Sequence, residues 1–151
     1  MKFNPALMCL VIMFVSYSKQ VMSQCTVMPE PISFGQYDAL SSPSLETTSY
    51  IDLLCSQGLL YKLTIDAGRN AGGNVVSRHM VSTETTTRLF YNVFFDPSHT
   101  QIWGDGVGAL QALNGVGNGN RLKIPVYAKI PGHQRIMAGE YSDSLIITLE
   151  W

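Results

Sequence analysis

The stretch that most constrains the fold of this chain is its last one, GEYSDSLIITLEW at positions 139–151. Leu145, Ile147 and Leu149 alternate with polar residues or with Ile146, and Trp151 continues the apolar series. This period of two, rich in β-branched and aromatic residues, predicts a β-strand with one buried face. No turn and no further strand follows it. The sequence therefore raises the question of what pairs with the outer edge of this strand.

The opposite end of the chain has the pattern of an export signal. Lys2 is followed by an apolar run at 6–15 and then by a polar region. Val21 and Ser23 satisfy the small-residue rule for signal peptidase. We therefore predict a signal peptide over residues 1–23, cleaved after Ser23. An N-terminal anchor helix is the alternative, and it is disfavoured because about 20 apolar residues are needed to span a bilayer.

Cleavage at this site leaves a single exported domain over residues 24–151, long enough to bury a core of its own. A lipid-anchored form is disfavoured because Gln24, not a small residue, precedes Cys25. Export removes Lys2 and Lys19 but no acidic residue, so the domain is more acidic than the formal charge of −1 for the whole chain. This balance predicts no binding to nucleic acid or to an anionic membrane.

Two cysteines remain in the exported domain, Cys25 and Cys55. An even pair in an exported chain predicts a disulfide. Two free thiols are disfavoured because the compartment is oxidising. A metal site with only these two ligands is also disfavoured, because structural zinc takes four.

The body of the domain is a series of short predicted strands separated by turn signals. Pro29 and Pro31 interrupt the first strand, which suits a sheet edge. The run at 88–96 is apolar on both faces and predicts a central strand, whereas 104–120 contains too much glycine for regular structure. Without an amphipathic helix, this pattern predicts an all-β, immunoglobulin-like sandwich. The predicted strands lie at 25–27, 32–35, 49–55, 59–66, 75–81, 88–96, 99–104, 121–130 and 144–151.

An immunoglobulin-like sandwich closes with its last strand beside its first, and here the strand count is one short. If 144–151 is the penultimate strand, a groove stays open between it and the strand near Cys25. Filling such a groove takes about five apolar side chains, on the order of 10 kcal/mol in total. We therefore predict an incomplete sandwich that lacks its last strand and is completed by a strand donated from another chain.

Several motifs resemble the spore coat protein U family, which includes the subunits of archaic chaperone–usher pili. The resemblance extends from Cys25 to Trp151, and its strongest parts are the cysteine pair, WGDG and the ending GxYxDxLxxTxxW. The motifs are ISFGQY, IDLLC, YKLTIDAG, RLFYNVFFD, WGDG, IPVYAKIPGHQ and AGEYSDSLIITLEW. The resemblance implies a pilus (fimbrial) subunit that accepts a donor strand first from a periplasmic chaperone and then from a neighbouring subunit. It also implies an outer-membrane usher and a final location at the cell surface.

One feature departs from the pattern of a pilus subunit. Such a subunit needs a donor extension before its first cysteine, yet cleavage after Ser23 leaves only Gln24 there. We expect a terminal (tip) subunit, acting in surface attachment and biofilm formation. Two alternatives remain open: an ordinary shaft subunit whose true extension lies within 10–23, and a secreted spore-coat or cell-surface structural protein that is not assembled into a fibre.

Catalysis finds little support in the sequence, so we predict that the chain is not an enzyme and has no cofactor. His79, His99 and His133 are isolated from one another, without the spacing of a metal or catalytic motif. The glycine-rich segments lack the Gly-Lys-Ser/Thr of a phosphate loop. The carboxylates at 105 and beyond do not have EF-hand spacing.

The predicted functional residues therefore serve binding. One set forms the walls of the donor-strand groove: Val27, Ile32, Phe34, Leu145, Ile147, Leu149 and Trp151. A second set belongs to a possible adhesive loop within 104–120 and beside it: Trp103, Val107, Leu110 and Leu113. Each set has a structural alternative, in which the side chains only fill the protein's own core.

Overall fold

A computed structural model describes residues 23–39 and 43–151. The predicted signal peptide therefore lies almost entirely outside the described residues. The described part is built of β-strands and one short 3-10 helix at Val75–Ser77. The strands are β1 Cys25–Pro29, β2 Leu45–Cys55, β3 Leu60–Ile65, β4 His79–Ser82, β5 Arg88–Phe90, β6 Asn92–Phe94, β7 Leu113–Val116, β8 Arg121–Ile130, β9 Tyr141–Ser142 and β10 Ile147–Glu150.

Two antiparallel sheets form the sandwich. The first has the order β1-β2-β8-β6 and the second the order β10-β3-β7. A small third sheet has the order β5-β4-β9. β1 and β10 are thus edge strands, one in each main sheet. This all-β, immunoglobulin-like architecture confirms the predicted fold class.

The core lies between the two main sheets, as period-two alternation along the strands requires. Leu53 and Leu63 are fully buried, and so are Val93 and Trp103. The main cluster of buried side chains comprises Ile51, Leu63, Ile65, Leu89, Tyr91, Val93, Trp103, Val126, Ala128 and Ile130. Both sheets contribute to this cluster, so a single core holds the domain together.

A disulfide joins Cys25 and Cys55 across the β1–β2 pair. It belongs to a second buried cluster that also contains Leu53 and Tyr61. We call this region the disulfide end of the sandwich. The predicted cysteine pairing is present in the structure, and it fixes the first residue of β1 to the last residue of β2.

Several predicted strands differ from the observed ones. Residues 32–35 form no strand, and 99–104 forms only isolated bridges, such as Phe94 with Ile102. The glycine-rich 104–120 contains strand β7, which pairs with β3. The run at 88–96 is divided between two sheets, and its second part, β6, is an edge strand instead of the predicted central one. Only one of its apolar faces is fully buried: Leu89, Tyr91 and Val93 lie in the core, whereas Phe90 is 45% exposed.

Candidate functional site

The two edge strands β1 and β10 lie next to each other on one side of the sandwich. Within the described residues, β1 pairs only with β2 and β10 only with β3. Each strand therefore has one edge without a main-chain ladder. A free edge of this kind presents N–H and C=O groups to which another strand can bind.

A groove opens between these edges and reaches the core. It encloses about 480 Å³. Its lining is mostly apolar: Ile32 and Phe34 on the β1 side, Leu145 and Ile147 on the β10 side, and Ile51, Ile65 and Val126 on the floor. The groove thus leads to the hydrophobic core, whose residues at its floor are 1–3% exposed.

Four of the predicted groove residues line this cavity, two on each wall: Ile32, Phe34, Leu145 and Ile147. Val27 and Leu149 pack against the buried residues of the disulfide end instead. Trp151 lies beyond the last residue of β10 and is 61% exposed. Its neighbours are Leu60 in β3 and Val116 in β7, so the structure places it outside the groove.

Two prolines help to explain why the chain leaves β2 after β1. Pro29 is the last residue of β1, and the main-chain contact with β2 ends at Glu30, whose N–H donates to the carbonyl of Tyr50 over 2.8 Å. Pro31 has no N–H with which to continue the ladder. The buried hydroxyl of Ser49 lies 3.0 Å from the Glu30 carbonyl and 3.1 Å from the Pro31 carbonyl. Residues 32–35 then continue along the groove without a β2 partner.

The end of the groove away from the disulfide, which we call the open end, is lined by polar groups as well. Asp143 accepts hydrogen bonds from the hydroxyl of Tyr91 at 2.8 Å and from the side-chain amide of Asn70 at 2.9 Å. Burial raises the pKa of Tyr91 far above its usual range, and the hydrogen bond and charge of Asp143 raise it further. Tyr91 therefore stays protonated and keeps donating to Asp143, which fixes the chain just before Leu145.

Gly68 is required beside this carboxylate. A Cβ atom on Gly68 would lie 2.2 Å from Oδ2 of Asp143, and the residue has a φ of +82° that favours glycine. The floor residues and this polar end were not predicted from the sequence. The alternation of Ile51 with Leu53 marks the inner face of β2, but only the tertiary fold shows which inner residues border the groove.

The predicted adhesive loop needs a correction at Trp103. Trp103 is fully buried, packs edge-on against Phe95 and donates from its indole N–H to the Leu63 carbonyl at 3.3 Å. It therefore cannot contact an external surface. Leu113 lies in β7 and packs on the core, and Leu110 packs against Gly104. Val107, which is 68% exposed, remains available for the adhesive role, which stays a prediction.

The titratable groups considered as catalytic candidates have structural partners. Nδ1 of His79 lies 2.9 Å from the Ser77 carbonyl, and His99 lies 3.8 Å from Glu46. Asp96 accepts from the main chain of Thr100 and Gln101 at a turn. Over residues 23–39 and 43–151, no group of three or more acidic, histidine or cysteine side chains is placed to hold a metal ion. The same ranges contain no helix long and apolar enough to cross a membrane.

The sequence model of the Spore Coat Protein U domain matches residues 11–148. The chain belongs to the Spore Coat Protein U domain family. This confirms the resemblance drawn from the sequence motifs, and the family is one of structural proteins, in agreement with the prediction that the chain is not an enzyme. The match begins at residue 11, before the predicted cleavage site.

Among solved structures, this spore coat protein U domain is similar to a chain in the CsuC–CsuE chaperone–tip adhesion subunit pre-assembly complex from the archaic chaperone–usher Csu pili of Acinetobacter baumannii. The identity is 20% and the TM-score 0.62, and the match covers 87% of this chain. It spans only 40% of the chain in that complex. At this identity the likeness shows a shared fold.

The E. coli Hda pilus minor tip subunit HdaB also matches, at 15% identity, over 83% of this chain and 78% of that one. Its TM-score of 0.38 is too low to support a shared fold. No curated protein sequence matches this spore coat protein U domain.

Proposed function

We propose that this protein is a subunit of an archaic chaperone–usher pilus, and that its groove accepts a strand donated by another protein. The observation that supports this most directly is the free edge of β10 beside an apolar groove that opens onto the core. Membership of the Spore Coat Protein U domain family supports the same function.

The chemistry of the groove specifies the occupant in general terms. A strand that hydrogen-bonds to the edge of β10 would direct alternate side chains toward Ile51, Ile65 and Val126 on the floor. These side chains must be apolar, because an unpaired polar group there would be desolvated without a partner. Burying each large apolar side chain contributes about 1.5–3 kcal/mol, so several of them rival the whole stability of a small domain.

A periplasmic chaperone is the proposed first donor, and a neighbouring pilus subunit replaces it in the fibre. The fold likeness to a chain in a chaperone–subunit complex is compatible with this sequence of donors. An outer-membrane usher would then export the subunit, giving a location at the cell surface. Surface attachment and biofilm formation follow as the proposed roles of the assembled fibre.

The position in the fibre depends on the mature N-terminus. If cleavage follows Ser23, only Gln24 precedes Cys25, so the chain accepts a strand without donating one, as a tip subunit would. A longer mature N-terminus would make it a shaft subunit. Intact-mass analysis of the exported protein distinguishes the two. A stable exported monomer without a bound partner would instead indicate a secreted coat protein outside any fibre.

The groove itself is tested by a matched pair of substitutions on adjacent residues of the C-terminal segment. Ile147 lines the groove, whereas Ile146 points the other way and is 65% exposed. We expect Ile147→Asp to abolish co-purification with the proposed periplasmic chaperone, because it places an unpaired charge where an apolar side chain must bind. Ile146→Asp should co-purify as the unsubstituted chain does.

A graded series separates loss of binding from loss of folding. Ile147→Val and Ile147→Thr keep a β-branched side chain, so both should fold, and capture should fall in the order Ile, Val, Thr. Equal capture by all variants, including Ile147→Asp, would show that the donated strand does not enter this groove.

A further inference from the structure

Arg78 is fully buried just before β4, and among the described residues its guanidinium donates to uncharged acceptors. Nη1 donates to the side-chain carbonyl of Asn92 at 2.7 Å. Nη2 donates to the carbonyls of Ile65 at 3.0 Å and Trp103 at 2.8 Å. Burial lowers the pKa of Arg78 to about 10, so it remains protonated at neutral pH.

The remaining acceptor of Arg78 is the main-chain carbonyl of Asp66, the residue that follows β3. Nε donates to this oxygen at 2.9 Å, and Nη2 also donates to it. The register of β3 and β10 places Asp66 opposite Ile146, one step beyond the Ile65–Ile147 pair. In a hydrogen-bonded antiparallel pair, two opposed residues exchange both N–H···O=C bonds. Here the Asp66 carbonyl is turned to Arg78 instead.

The Asp66 side chain takes the place of that carbonyl. The Asp66 N–H donates to the Ile146 carbonyl at 3.0 Å, as a ladder requires. The Ile146 N–H donates to Oδ1 of the Asp66 carboxylate at 2.8 Å. The same oxygen also accepts from the Gly68 N–H at 2.9 Å, which holds the carboxylate in place.

Ile146 lies between the two residues that form the β10 side of the groove, Leu145 and Ile147. Neither Asp66 nor Arg78 lines the groove. We propose that Arg78 and Asp66 are positioning residues for strand capture: Arg78 binds the Asp66 carbonyl, and the Asp66 carboxylate then fixes Ile146 so that Leu145 and Ile147 face the incoming strand. This inference rests on the proposed function.

The test compares Asp66→Ala with Asp66→Asn in the oxidised full chain. The probe is a synthetic peptide of alternating valine and threonine, flanked by lysines for solubility. Asp66→Ala removes the acceptor for Ile146, so the peptide should dissociate about tenfold to a hundredfold faster, the range expected for one hydrogen bond to a charged group. Asp66→Asn keeps a carbonyl oxygen at the same position and should restore dissociation to within about threefold of the unsubstituted chain.

A second measurement needs no variant and covers the case in which Asp66→Ala does not fold. NMR scalar coupling across the hydrogen bond should connect the Ile146 amide nitrogen with the side-chain Cγ of Asp66. Coupling to the main-chain carbonyl carbon of Asp66 would overturn the inference. Equal dissociation rates for all three chains would also overturn it and leave the proposed function standing. Failure of the unsubstituted chain to bind the peptide would count against the proposed function and this inference together.

Discussion

The edge strands β1 and β10 lie side by side along one flank of the sandwich, and the two ends of that flank differ. At the disulfide end, Val27 and Leu149 pack against the same buried cluster, and Cys25 is covalently fixed to Cys55. At the open end, the chain after Pro31 leaves β2, and the groove reaches the core. The same pair of strands is therefore closed at one end and open at the other.

The difference shows which interactions can substitute for a missing strand. A disulfide and short apolar side chains cover the core where the strands lie close. At the open end, the main-chain groups of Ile146 and Ile147 are held by β3 and by Asp66, which fixes the wall of the groove. The molecule therefore keeps an ordered groove instead of a collapsed one, and a bound strand has a formed surface to meet.

The largest expected effect comes from Trp103 in the main buried cluster, the largest of the fully buried side chains. Trp103→Ala should destabilise the domain by about 3–5 kcal/mol, because it removes a large buried side chain and leaves a cavity. Both ends should be lost together in a single cooperative urea transition. Val107→Ser, in the exposed part of the same glycine-rich segment, is the control and should leave the midpoint unchanged. If Trp103→Ala unfolds at the same urea concentration as the unsubstituted chain, the Trp103 side chain does not stabilise the core.

The second prediction removes the covalent bond that distinguishes the disulfide end. Cys25→Ser combined with Cys55→Ser should cost about 3–4 kcal/mol of unfolding free energy on the chain-entropy model. A saturating donor peptide should still stabilise the variant, because the groove lies at the other end. The measurement is urea unfolding with and without peptide. A loss below about 1 kcal/mol would show that apolar packing by Leu53 and Tyr61 closes this end without the disulfide.

The sequence predicted the all-β class, the cysteine pair and the last strand because each depends on local pattern. Alternation from Leu145 to Leu149 marks a half-buried strand wherever it lies in the fold. The two cysteines required only an oxidising compartment. These features survive in the structure because no tertiary interaction opposes them.

The errors arose where tertiary packing overrides the local pattern. Trp103 lies beside a glycine-rich segment, so the sequence predicts an exposed side chain. In the structure it is buried in the core, and its indole N–H donates to the Leu63 carbonyl. Trp151 continues the alternation of β10, but the strand ends at Glu150, so the side chain is not held on the groove face. The bond from the Ile146 N–H to the Asp66 carboxylate was not predicted, because it depends on Arg78 occupying the Asp66 carbonyl and no local pattern encodes that.

The smallest predicted effect compares the hydroxyls of Ser49 and Ser56, each of which hydrogen-bonds to the N-terminal segment. Ser49 lies in β2, and Ser56 follows the last residue of β2. At the open end, the Ser49 hydroxyl donates to the carbonyls of Glu30 and Pro31. At the disulfide end, the Ser56 hydroxyl oxygen accepts from the nitrogen of Gln24 at 3.1 Å. Ser49→Ala should cost about 1 kcal/mol, the typical net value of one hydrogen bond. Amide exchange at Glu30 should accelerate while the amide of Ser56 stays protected.

Ser56→Ala is the matched control, because the disulfide holds that end whether or not the hydroxyl is present. It should leave both amide exchange at Glu30 and peptide capture unchanged, whereas Ser49→Ala should weaken capture slightly by loosening the wall that contains Ile32. Equal effects of the two substitutions on capture would mean that the ends are coupled, and that the open end is not an independent site for the incoming strand.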